Sequence, residues 1–288
     1  MPLQLHQNIN LFLLLILGVL TADIYLSLVD IFLILLFTLV VEHLFLYFNE
    51  ERNFYFSYSA FSTSIGVIVL LYSSSLWIYF LVIACGLAQK HFLTIRGKHL
   101  FNPSNFSVVI MLIFFYNDAH IVTGQLGDEP LLAMVVSVLA MSILVRAKRW
   151  IIPLVFVMSY LSLEYLLVVT YDPVVIFQDI YHRFYSVTFI LFVYFMLTDP
   201  PVTPSNWKLQ ILFGFFVAIL ATLLDRFYGY RVQHLFISLF FFSFFVNLFP
   251  LRMLSPSQLK FVLIILLMII GGVGFVEMQP PYYFEMNG

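Results

Sequence analysis

Arg96-Gly-Lys-His-Leu-Phe-Asn-Pro-Ser-Asn105 is a polar island between two apolar runs, and Thr198-Asp-Pro-Pro-Val-Thr-Pro-Ser-Asn206 answers it further along the chain. Both contain Pro-Ser-Asn, at 103–105 and 204–206, and both place Asn or Asp before a proline, at Asn102 and Asp199. Proline forbids continuation of the preceding helix, and the Ser or Asn after it is a favoured N-cap, so each stretch reads as a helix-start loop. New helices are expected near Phe106 and Lys208. A helix N-terminus presents free N–H groups and about half a positive charge, which suits an anion or an electron-rich carbonyl. Two such ends in one membrane chain point to a binding site.

Working outward, composition decides the solvent. The chain is 62% hydrophobic, 19% aromatic and 10% charged, with a mean hydropathy of +1.02 over 288 residues. A soluble domain carries roughly 25% charged residues, so this chain cannot cover its surface with polar groups, and lipid must solvate much of it. The fold class expected is all-α, a single polytopic transmembrane domain over residues 1–288. The apolar runs mark helical segments near Ile9–Ala22, Ile31–Phe48, Phe61–Tyr72, Leu76–Phe92, Phe106–Tyr116, Leu131–Val145, Ile151–Thr170, Ser186–Leu197, Leu209–Leu224, Val232–Phe249 and Phe261–Phe275. Phe61–Tyr72, Phe106–Tyr116 and Ser186–Leu197 fall short of the roughly 20 residues a span needs, so ten full spans are as defensible as eleven.

With the N-terminus cytoplasmic, alternation places Arg52, Lys90, Arg96, Lys98, Arg146, Lys148, Arg149, Lys208, Arg252 and Lys260 inside and only Arg183, Arg226 and Arg231 outside. Both Pro-Ser-Asn loops then lie on one side. A re-entrant segment would instead bring them to mid-membrane from opposite faces. The net charge of −2 contains no basic block, which gives nucleic acid no footing. The tail Pro280–Phe284 reads as an interfacial aromatic anchor.

Ionisable groups inside apolar runs are expensive in lipid and therefore informative. Glu42 and His43 stand in the second segment and Glu164 in the seventh. They are read either as interhelical hydrogen bonds or as proton-relay or substrate groups, with Glu42 paired to a base. The histidines show no HxxxH or HxH spacing and Cys85 is the only cysteine, so no metal site is expected. No P-loop, GxSxG or GxGxxG precedes a helix, and no independent catalytic motif is present. Gly271, Gly272 and Gly274 read as helix packing. Ser62, Ser64 and Gly66 form a small-residue face, for close packing or as a ligand wall.

Lys98-His-Leu-Phe-Asn-Pro-Ser-Asn-Phe106, taken with Met196-Leu-Thr-Asp-Pro-Pro-Val-Thr-Pro204, resembles the paired signatures of the RnfD/NqrB family of membrane electron-transport subunits. It most resembles the stand-alone branch named for enediyne-biosynthesis membrane proteins. The resemblance implies two repeated five-helix halves, here about 1–130 and 131–288, with helices broken at the FNP and TDP motifs. It implies a flavin held within the membrane by Asn102, Ser104, Asn105, Thr198, Asp199 and Thr203, with Lys98 and His99 beside them. The family's covalent flavin sits on a threonine of an S/D-G-A-T motif. This chain has only Val122-Thr-Gly-Gln125 in its candidate outward loop, so a non-covalent FMN or riboflavin is expected. It also lacks the long insertions of the larger complex subunits. The expectation is an electron-transfer subunit of a bacterial inner membrane, handing electrons to a redox partner protein or complex. The alternatives are a transporter or channel for a small polar solute, flavin included, and a scaffold subunit with no site of its own.

Overall fold

Apolar runs become helices here, and several begin at a polar residue just upstream of the run. The computed structural model of the protein describes residues 3–21, 24–48, 56–95, 97–123, 130–171, 177–248 and 256–279. Arg52, Arg96, Arg252, the loop from Gly124 to Glu129 and the tail from Pro280 lie outside the described residues. The helices are α1 (Leu3–Thr21), α2 (Leu28–Phe48), α3 (Tyr58–Leu70), α4 (Leu76–Phe92), α5 (Pro103–Phe114) and α6 (Pro130–Ala147). They continue as α7 (Ile151–Tyr171), a short α8 (Phe177–Tyr181), α9 (Val187–Leu191), α10 (Trp207–Tyr228), α11 (Gln233–Leu248) and α12 (Pro256–Met278). The all-α class is what the structure shows. Its strands are two- and three-residue pieces, with β1 (Leu71–Ser73) antiparallel to β4 (Ala119–Ile121) and β2 (Thr94–Ile95) antiparallel to β3 (Lys98–His99).

Among the described residues, α2, α7 and α10 are the helices long and apolar enough to cross a membrane unaided. The short segments depart from their expected bounds for local reasons. α3 starts early because Ser57 Oγ accepts from Ala60 N–H at 3.3 Å, and it stops at Leu70 because the next residues pair with β4. α5 starts at Pro103, whose missing N–H is not needed in a first turn, with Asn102 as its cap. The expected helix Ser186–Leu197 is broken. After α9 the chain widens into a π-turn over Phe192–Met196, where Leu197 N–H reaches the Phe192 carbonyl at 2.9 Å. Such turns release backbone from the regular ladder and are frequent at functional sites.

Two close helix pairs set the frame. α7 and α10 run parallel along the most extensive interface in the molecule, and α4 lies against α5. Each pair meets at a glycine. A Cβ on Gly214 would come within 2.9 Å of the Ile152 carbonyl oxygen, and one on Gly86 within 2.7 Å of the Pro103 carbonyl oxygen and closer still to Ser107 Oγ. Without a hydrophobic drive between helices in lipid, such close backbone approach is the main source of packing energy. Of the three glycines of α12, Gly272 has this role, facing Ile113 of α5, whereas a Cβ on Gly271 or Gly274 meets open space.

Gly86→Ala therefore lowers the unfolding midpoint of the detergent-solubilised protein, by an amount corresponding to about 1–3 kcal/mol of overpacking. Gly271→Ala leaves the midpoint unchanged. Equal midpoints for the two variants would refute the packing described.

Candidate functional site

The polar island folds into a small hairpin. Gly97 takes a φ of 72°, which only glycine adopts freely, and the chain returns so that Thr94 faces His99 and Ile95 faces Lys98. Phe101 then drops into the bundle. Fully buried, it stacks on Phe240 of α11 with ring centroids 4.2 Å apart. Its carbonyl accepts from Gln89 Nε2 at 3.0 Å and from His99 Nδ1 at 2.7 Å.

Asn102 joins the two loops. Its Oδ1 accepts the Asn105 N–H at 3.0 Å, capping α5, while its Nδ2 donates to Asp199 Oδ2 at 3.0 Å. The two loops thus touch. They do not occupy equivalent connections, since the first joins α4 to α5 and the second joins the π-turn to α10.

On the second loop, Asp199 O accepts from Thr203 Oγ1 at 2.8 Å, and Thr198 Oγ1 donates to the Tyr194 carbonyl at 2.7 Å. Asn206 caps α10 by accepting from Lys208 N–H at 2.9 Å. Arg149, just before α7, donates to the Pro204 carbonyl at 2.9 Å and to Ser205 Oγ at 3.3 Å. Burial holds the Arg149 guanidinium below its ordinary value, and the neighbouring Asp199 charge offsets part of that effect.

Where the loops meet there is a cavity of about 440 Å³, within the range of small-molecule sites. Its polar lining includes Thr63, Lys90, His99, Asn102, Ser104 and Asp199. Its apolar walls are Leu11 of α1 and Leu191, Phe195 and Met196 of the broken helix. Ser62 and Gly66 of the small-residue stripe also line it, whereas Ser64 does not and gives its hydroxyl to the Phe61 carbonyl. A Cβ on Gly66 would come within 2.9 Å of Ser104 Oγ, so glycine there keeps the wall open.

The expected residues therefore separate into groups. His99, Asn102, Ser104 and Asp199 line the cavity. Asn105, Thr198 and Thr203 lie behind it and spend their side chains on backbone, Asn105 Nδ2 on the Phe236 carbonyl at 3.2 Å. Lys98 is exposed on the hairpin. The α5 N-terminus is less open to an anion than its sequence implies, because Pro103 has no N–H and Asn102 already occupies that of Asn105. Ser104 supplies what remains.

Glu42 connects to this site at one remove. Fully buried, it accepts from Ser57 Oγ at 2.7 Å, from His91 Nε2 at 2.9 Å and from Lys90 Nζ, and Lys90 also lines the cavity. The base expected beside Glu42 is thus Lys90 with His91. His43 turns away, its Nδ1 on the Leu39 carbonyl at 2.7 Å. Glu164 belongs to another cluster, with Tyr160, Arg183, Asp225, His234 and Glu277, which sequence reading missed. Ending the ninth segment at Leu224 left Asp225 in a loop, whereas α10 continues to Tyr228 and carries Asp225 inward. The four-residue spacing of Tyr160 and Glu164 on one helix face was the available signal.

Residues 116–253 match the model of the NQR2, RnfD, RnfE family. That stretch includes the second loop and begins after the first. It matches the family as a whole and does not distinguish the enediyne-associated branch. Among curated proteins none matches the chain. The paired loops, the apolar helices and this match agree: the chain is an RnfD/NqrB-like integral membrane protein.

Proposed function

We propose that the protein is a membrane electron-transport subunit whose cavity between the two loops holds a flavin, FMN or riboflavin, without a covalent link. The observation that carries the reading is the cavity itself, built where the FNP and TDP loops meet and walled by a broken helix. Its lining suits a flat amphipathic ring system. Leu11, Leu191, Phe195 and Met196 offer apolar faces, while Ser104, Thr63, His99 and Lys90 offer polar contacts along the rim. Flavin supplies reversible acceptance of electrons, and the protein supplies placement and electrostatics.

In this reading each residue has a physical task. Ser104, at the start of α5, presents a hydroxyl and the helix's free N–H to an electron-rich edge. Lys90 offers positive charge tempered by Glu42, so reduced, anionic ligand is favoured without a bare buried cation. Asp199 accepts from Asn102 and lies within the field of Arg149, so its carboxylate orders the loops more than it opposes the ligand. The bilayer surrounds the site, and a redox partner protein or complex completes the electron path.

Gently purified protein supplied with riboflavin or FMN is expected to retain it at fixed stoichiometry and release it in acid. Ser104→Ala removes one hydrogen bond and weakens binding about tenfold, corresponding to about 1.4 kcal/mol, with the fold intact. Protein that stays empty in both flavins while taking up a small solute saturably in proteoliposomes would overturn the reading in favour of transport.

The contact between Asn102 and Asp199 makes a separate prediction. Asn102→Ala and Asp199→Ala each destabilise the protein, and the double variant loses little more than either single one, giving a coupling of about 0.5–3 kcal/mol in a thermal-unfolding cycle. Strict additivity would show that the two side chains act independently.

A further inference from the structure

At the end of α7 and α10 away from the loops, a second polar cluster is buried among apolar helices. α7 and α10 both begin at the loop site, and Asp225 stands about 27 Å along α10 from its start. Asp225 is saturated with donors. Its Oδ2 accepts from Tyr160 Oη at 2.7 Å and Arg183 Nη1 at 2.9 Å. Its Oδ1 accepts from Arg231 N–H at 2.9 Å and faces His234 Nδ1 at 2.7 Å. The other nitrogen of His234 faces Glu277 Oε2 at 3.1 Å, and Glu277 also receives Gln233 Nε2 at 3.1 Å, with Arg231 Nη1 at 3.8 Å.

Glu164, one turn along α7 from Tyr160, has the opposite situation. It is fully buried, and neither carboxyl oxygen has a hydrogen-bond partner among the described residues. Thr222, whose hydroxyl also lacks a partner there, and Asp225 face it from α10. Arg183 is the cation in reach, and its Nη1 is already held by Tyr160 and Asp225. An ionised Glu164 would have at most the Thr222 hydroxyl as a donor, beside a second carboxylate, in a medium where that is most expensive. A proton converts it into a donor that can satisfy the Thr222 hydroxyl oxygen, which has no other partner among the described residues.

The cluster also has a route to water. Arg231 and Gln233, bonded to Asp225 and Glu277, line a second cavity of about 400 Å³ with Tyr116, His120, Tyr228 and Tyr230. His120 stands outside the helices on β4, where burial depresses its imidazole below the ordinary value.

We propose that Glu164 is a proton-binding site, its carboxyl protonated at neutral pH and exchanging with water in this second cavity through Asp225, His234 and Glu277. One proton enters at Glu277, is taken up on one ring nitrogen of His234 and released from the other to Asp225, which gives it to Glu164. Release reverses the path, so the only net change is one proton moved. The site stands apart from the loop cavity and does not rest on the flavin reading.

Infrared spectroscopy of the reconstituted protein tests this directly. The carbonyl band of a protonated carboxyl is expected in wild type, is lost in Glu164→Gln, and shifts when H2O is replaced by D2O. Asp225→Asn frees Arg183 for Glu164, which then ionises, and the band disappears although Glu164 is present. Should either variant fail to fold, wild-type protein treated with a hydrophobic carbodiimide, which attacks protonated buried carboxyls, is labelled at Glu164 at least tenfold more than at ion-paired Glu42. A wild-type spectrum without a band assignable to Glu164, or equal labelling of the two glutamates, overturns the proposal. A band that does not shift in D2O overturns the exchange path.

Discussion

The hydrogen bond from Asn102 to Asp199 is the contact on which the site depends. One asparagine caps α5 with its oxygen and ties down the second loop with its nitrogen, so both polar stretches are satisfied by each other. In a chain solvated by lipid no water is on hand to take over either role, and irregular backbone is tolerated only where protein or a cavity surrounds it. The cavity follows from that constraint. Beyond the short β2–β3 pairing the loops turn polar groups such as Asn102, Ser104 and Asp199 inward, and the broken helix between Leu191 and Met196 supplies the apolar wall opposite.

The same solvent explains the contrast between the two buried glutamates. Glu42 receives three donors, from α3's cap and the end of α4, and so works as an interhelical tie. Glu164 receives none, although Arg183 is close, because Asp225 and Tyr160 occupy that cation first. Both are carboxyls in apolar runs and look alike in sequence. They differ only in what the neighbouring helices bring to them.

α7 and α10 connect the two polar regions physically. Arg149, at the start of α7, holds the second loop, and Glu164 lies about 20 Å further along the same helix. The glycine contact at Gly214 keeps α7 and α10 close enough that Tyr160 and Asp225 share a proton donor and acceptor pair. Helix pairs of this kind transmit position well because their backbones touch.

Sequence alone determined the class, since a chain 62% hydrophobic and 10% charged has no soluble option. It determined closely where α10 begins, because capping is a local interaction between a side chain and an N–H two or three residues on, whereas α5 begins three residues before the expected Phe106, capped by the Asn102 that precedes its proline. It also singled out Asn102, Ser104 and Asp199, polar residues next to prolines that interrupt apolar runs, with His99 in the same polar island. What it could not determine is which of the polar loop residues face the cavity. Asn105 and Ser104 are neighbours, yet one is bonded into α11 and the other lines the wall. Nor could it find Arg149's hold on Pro204 or the Asp225 cluster, whose members lie on α7, α10, α11, α12 and the turn before α9. Most of those contacts join residues tens of positions apart, and only the packing of whole helices brings them within hydrogen-bond reach.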